Sequence, residues 1–141
     1  MMERRNFLKN TCSLCLIGFT GASLIELASC TASSNIYSTS VLNNLITVPV
    51  KLFENSSLQI IRPKELLYDI AINKNAENNF SAMLLQCTHQ DNQLTVYPNG
   101  YQCSLHGSQF NTEGKVVKGP ASKPLKNLSI IQEGTNLVIH I

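Results

Sequence analysis

An all-β domain is the fold class this sequence predicts, and three observations predict it. From Leu45 onward the apolar residues come in short runs, many of them β-branched or alternating with polar neighbours. Turn-forming residues, such as Pro98-Asn99-Gly100 and Glu133-Gly134-Thr135, separate the runs. Helical periodicity has little support over the same region. With 141 residues, 43% of them apolar, the chain has room for one packed domain and one active site.

The elements follow in order. Ile46, Val48, Val50 and Leu52 alternate along a first strand, 58–61 supplies a second, and 66–72 supplies a third or one to two helical turns. Residues 80–86 form a strand leading straight into Cys87, with Phe80 and Met83 as plain core residues. Residues 94–97 and 101–103 flank Pro98-Asn99-Gly100, where Asn and Gly tolerate the positive φ of a tight hairpin turn. That hairpin brings two cysteine-containing segments together. The tail reads as a further hairpin, with strands at 128–132 and 136–141; His140, near the end of the last strand, is an ordinary surface residue.

Before Leu45 the composition changes. Residues 1–29 have a basic start, an apolar middle from about Thr11 to Ile25 and a small-residue stop, the layout of a signal peptide, and lie outside the fold. The apolar stretch falls short of the roughly 20 residues a bilayer-spanning helix needs. Arg4-Arg5-Asn6-Phe7-Leu8-Lys9 resembles the twin-arginine export motif. Leu27-Ala28-Ser29-Cys30 resembles a lipobox, which implies lipidation of Cys30 as the first mature residue. Cys12 and Cys15 sit inside the apolar stretch and read as small apolar residues. Residues 30–44, rich in Ser, Asn and Thr, suit a flexible tether, so the folded domain is expected over 45–141. These features place the protein on the periplasmic side of a bacterial membrane, exported and anchored through Cys30.

Charge excludes one class of partner. The net charge is +2, and no run of Lys or Arg makes the basic stripe that a phosphate backbone requires, so nucleic acid is not expected. The five cysteines are odd in number and split between leader and domain, which does not suit a disulfide framework.

The residues that carry chemistry are Cys87-Thr88-His89 and Cys103-Ser104-Leu105-His106, a C-x-H motif followed after 13 residues by C-x-x-H. Each motif sets two donor side chains on one tight loop, and the hairpin between them can turn the loops face to face. The residues alone permit a Cys2His2 zinc site or a 2Fe-2S cluster in which two histidines replace two cysteines on one iron.

Three boxes favour the cluster. Cys87-Thr88-His89, then Cys103-Ser104-Leu105-His106-Gly107-Ser108, then Gly119-Pro120-Ala121-Ser122-Lys123-Pro124-Leu125 resemble, in order and spacing, the two ligand boxes and the proline loop of Rieske proteins. The resemblance implies an antiparallel β-sandwich or barrel with a small cluster-binding subdomain at about 85–125. It implies one 2Fe-2S cluster per chain, with Cys87 and Cys103 on the inner iron and His89 and His106 on the outer, and one-electron transfer as the function. The partner it implies is a redox protein or a membrane oxidoreductase complex. A Rieske subunit of a quinol or arsenite-type oxidoreductase is the alternative, and no substrate-binding catalytic site is visible.

The chain departs from the respiratory members of that family. Asn92 and Leu105 stand where cytochrome bc-type proteins carry the two cysteines of a bracing disulfide. Ser108 matches the serine that hydrogen-bonds a bridging sulfide, whereas Phe110 replaces a tyrosine that hydrogen-bonds a ligand sulfur. Gln90 stands where an apolar residue commonly lies near the quinone. These departures imply an intermediate reduction potential.

Overall fold

The computed structural model describes residues 36–141. The expected leader, with Cys12 and Cys15, and Cys30, the expected lipidation position, lie outside the described residues. Among the described residues there are eleven strands and no α-helix, and no helix is long and apolar enough to cross a membrane.

Seven strands form one barrel-like sheet: β1 (Ile36–Thr39), β3 (Leu58–Pro63), β4 (Ile70–Lys74), β5 (Phe80–Leu84), β10 (Asn127–Glu133), β11 (Asn136–His140) and β2 (Leu45–Pro49), in that order. Four more, β6 (Leu94–Tyr97), β7 (Gly100–Cys103), β8 (Gln109–Phe110) and β9 (Val116–Lys118), form a second, smaller sheet. All pairings are antiparallel except β1 with β3, which is parallel. The expected all-β architecture with a small subdomain is what the chain adopts.

Side-chain alternation divides the interior into two cores. Ile61, Ile70, Ile72 and Ala82 point into the barrel with Ile46, Val48, Leu137 and Ile139. Their neighbours Ile60, Ala71, Met83 and Leu85 point the other way, onto Cys87, Cys103, Tyr101 and Phe110. Successive side chains of a strand leave opposite faces, so β3, β4 and β5 are walls shared by both cores. Their runs are accordingly apolar on both sides, as in Ile70-Ala71-Ile72, all fully buried.

The structure moves several expected boundaries. The domain begins by Ile36 rather than Leu45, so the expected tether over 30–44 is cut short. β1 is an edge strand of polar composition whose Tyr37 packs on the barrel core, and composition alone reads such a strand as linker. The first expected strand stops at Pro49, after which Val50–Phe53 form a 3-10 turn. The third begins at Ile70: the chain turns after Pro63, the Leu66 N–H bonds the Pro63 carbonyl, and Leu67 is 90% exposed. The β6–β7 and β10–β11 hairpins fall where expected, closed by the pairs Tyr97 with Gly100 and Glu133 with Asn136.

Candidate functional site

The site is built from three loops on the smaller sheet's side of the shared wall. The first runs from Cys87 to Asn92. Its ends are closed by the Cys87 N–H donating to the Asn92 carbonyl at 2.9 Å and by a bridge between Gln86 and Gln93. The loop's foot is tied to the barrel. The Asp69 N–H donates to the Gln93 side-chain oxygen at 3.0 Å, and the Arg62 guanidinium grips the Asp69 carboxylate through two bonds of 2.9 and 2.7 Å. That bond and the carboxylate's charge push the Arg62 pKa above its ordinary value.

The second loop begins at Cys103, which ends β7 opposite Leu94. The Cys103 N–H donates to the Ser108 carbonyl at 2.9 Å and the Gly107 N–H to the Cys103 carbonyl at 3.0 Å, so six residues double back on themselves. Gly107 turns the loop at φ 76°, a conformation that favours glycine. Gly100 at the head of β7 has φ 144°, and a Cβ there would collide with the Phe110 carbonyl on β8.

The third loop, around Pro120 and Pro124, is held to the other two. The Thr88 hydroxyl donates to the Lys123 carbonyl at 2.6 Å, and the Ser108 hydroxyl oxygen accepts the Ala121 N–H at 3.0 Å. Ala121 and Leu125 are buried beside Cys87 and Cys103 in the same core. The three boxes read from the sequence therefore meet at one place.

Within that place the donors stand in two pairs. Cys87 and Cys103 are each 1% exposed, are not joined as a disulfide, and lie in the same buried cluster. His89 and His106 are exposed, with ring centroids 5.0 Å apart and planes crossed at 84°. Burial pushes the Cys103 thiol up, but the N–H groups of Leu105 and His106, the Cys87 thiol and the Asn92 amide outweigh it and hold the pKa below the ordinary thiol value. Ser108 is fully buried. Its oxygen accepts from Ala121, so its own O–H proton remains to be donated.

This donor set fits a two-iron cluster. Cysteine sulfurs lie at the bottom and imidazoles at the surface, the division that a centre with two cysteines on one iron and two histidines on the other needs. Sequence reasoning marked Asn92 only as standing at a disulfide position and did not foresee that its side-chain nitrogen lies 3.6 Å from the Cys103 sulfur, nor the Arg62–Asp69–Gln93 brace. Asn92 had a signal of its own: a strong amide donor inside the first ligand box.

The comparisons with known proteins agree. The model of the Rieske [2Fe-2S] domain matches residues 47–129. The iron-sulfur subunit of the cytochrome b6-f complex from a Synechococcus species is 34% identical over 70 residues, 48% of this chain and 40% of that protein. The carotenoid phi-ring synthase of Chlorobaculum tepidum is 38% identical over 56 residues, 38% of this chain and 9% of that protein. The chain thus spans less than half the length of these curated relatives. Among solved structures, the plasma membrane Rieske protein of the cyanobacterium Synechocystis superimposes with a TM-score of 0.57 at 22% identity, covering 68% of this chain and 99% of that one. With two buried cysteines, two exposed histidines, the barrel and its smaller sheet, and a family model spanning more than half of its length, the chain belongs to the Rieske [2Fe-2S] domain family and binds a 2Fe-2S cluster.

Proposed function

We propose that the chain is a one-electron carrier whose cluster is held by Cys87 and Cys103 on an inner iron and by His89 and His106 on an outer one. The observation that carries this reading is the pairing of two buried, adjacent sulfurs with two exposed, adjacent imidazoles. The bound cluster supplies a single redox equivalent; the protein decides where that electron enters and leaves. The exposed His89 and His106 rings offer the short path to a partner, while Leu85, Leu94 and Phe110 keep water from the sulfurs.

The carrier is exported folded through the twin-arginine route and tethered by lipid on Cys30, on the periplasmic side of the membrane. The leader pattern supports this, as does the chemistry: a route for folded proteins preserves a cluster inserted beforehand. Its partners are a redox protein or a membrane oxidoreductase complex. A second reading, a Rieske subunit of a quinol or arsenite-type oxidoreductase, draws support from the similarity to cytochrome b6-f iron-sulfur subunits. Asn92 and Leu105 at the disulfide positions, and Gln90 near the histidines, favour the carrier and an intermediate potential.

Electron paramagnetic resonance of the reduced, purified protein tests the ligand set, because His-ligated 2Fe-2S clusters have a lower mean g than all-Cys ones. Cys87→Ser, Cys103→Ser or His106→Cys should abolish the native spectrum; an unchanged spectrum would show that the ligands are misassigned. Lipid labelling that persists in Cys30→Ala would refute the anchor. A potential at the top of the family's range would favour the quinol-oxidising subunit instead.

A further inference from the structure

Asn92 touches both cysteines at once. Its backbone carbonyl accepts the Cys87 N–H at 2.9 Å. Its side-chain nitrogen lies 3.6 Å from the Cys103 sulfur and 3.1 Å from the Gln93 carbonyl oxygen. The second contact fixes which end of the amide faces the sulfur: a carbonyl oxygen only accepts, so the atom beside it is the nitrogen, and its two N–H groups serve the carbonyl and the sulfur together. The side chain is partly buried, where such a bond is less screened than in water.

We propose that Asn92 is a positioning residue that donates its side-chain amide to the Cys103 sulfur, joins the two ligand loops and raises the reduction potential. This rests on Cys103 being a cluster ligand. The physical reason is charge. Reduction adds one electron, part of whose density falls on the ligand sulfurs, so a donor aimed at a sulfur stabilises the reduced state more than the oxidised one. Phe110 has no hydroxyl to offer. The buried Tyr101 hydroxyl is engaged instead by the Asn73 side chain at 2.7 Å. Asn92 therefore supplies a side-chain donor to a ligand sulfur. It also links the loops without a covalent bond, from one of the positions where a disulfide would begin.

The test is Asn92→Leu, close in shape but with no donor, in the full-length holoprotein. Its iron content and mean g should match those of the parent, while the reduction equilibrium falls about tenfold, which is about 59 mV for one electron. An unchanged potential in a fully loaded variant would overturn the proposal. If that variant loses its cluster, the parent protein decides: asparagine carrying heavy nitrogen only in its side-chain amide should give a hyperfine coupling to the reduced cluster, and absence of that coupling would overturn the proposal. Failure of the underlying ligand assignment looks different: Cys103→Ser would then keep the parent spectrum whatever Asn92 does.

Discussion

At the scale of single residues, two buried hydroxyls do different work. Ser108 accepts the Ala121 N–H and has a proton left to give. Ser108→Ala should leave that N–H without a partner, costing about 1–3 kcal/mol of stability, and should lower the reduction potential by about 59 mV for each tenfold change in the equilibrium. Thermal melting and redox titration of the same sample separate the two effects. The Tyr101 hydroxyl accepts from the Asn73 side chain; burial raises its pKa, partly opposed by that bond. The folded state therefore holds that proton at pH values where the unfolded chain has released it. Stability should fall as pH rises beyond the ordinary tyrosine range near 10. Tyr101→Phe should lose about 0.5–1.5 kcal/mol at neutral pH and show a shallower alkaline decline in melting temperature than its parent. Asn73 retains a 3.4 Å contact to the Thr112 carbonyl in that variant. That Cys87, His89, Cys103, His106 and Ser108 gather on neighbouring loops was legible in the sequence because each sits at a fixed step within a short box. The contact of Asn92 with Cys103 was not, because it spans eleven positions and exists only once the β6–β7 hairpin has folded.

At the scale of elements, the β6–β7 hairpin sets the distance between the ligand loops. Its turn was legible in Pro98-Asn99-Gly100, whereas the role of Gly100 beyond the turn was not, since it depends on how closely β8 approaches. Gly100→Ala puts a methyl group onto the Phe110 carbonyl and an alanine at φ 144°. Backbone strain of this kind costs about 1–3 kcal/mol. Because β7 ends in Cys103, the strain should also reduce iron bound per purified chain, which metal analysis and the visible spectrum would measure. β8 and β9, with two and three residues, are too short to show a period. β1 escaped notice for another reason: its partner β3 lies more than twenty positions away, and its four residues, half of them polar, leave no buried side chain to mark a strand.

At the scale of the whole molecule, the two cores meet at one sheet and share little else. Ile139 is fully buried in the barrel core, among residues that do not include the cluster loops. Ile139→Ala should cost about 2–5 kcal/mol in unfolding free energy yet leave the reduction potential where it was. A potential that moved with barrel packing would show the two halves to be mechanically coupled. The shared wall of β3, β4 and β5 also bears on the life of the protein after its cofactor is damaged. Those strands are packed on their barrel side by side chains that owe nothing to iron. Oxidative loss of the cluster would then slacken three loops and a small sheet while the body of the domain persists, and repair would be a matter of reclosing loops around new iron rather than of refolding a chain.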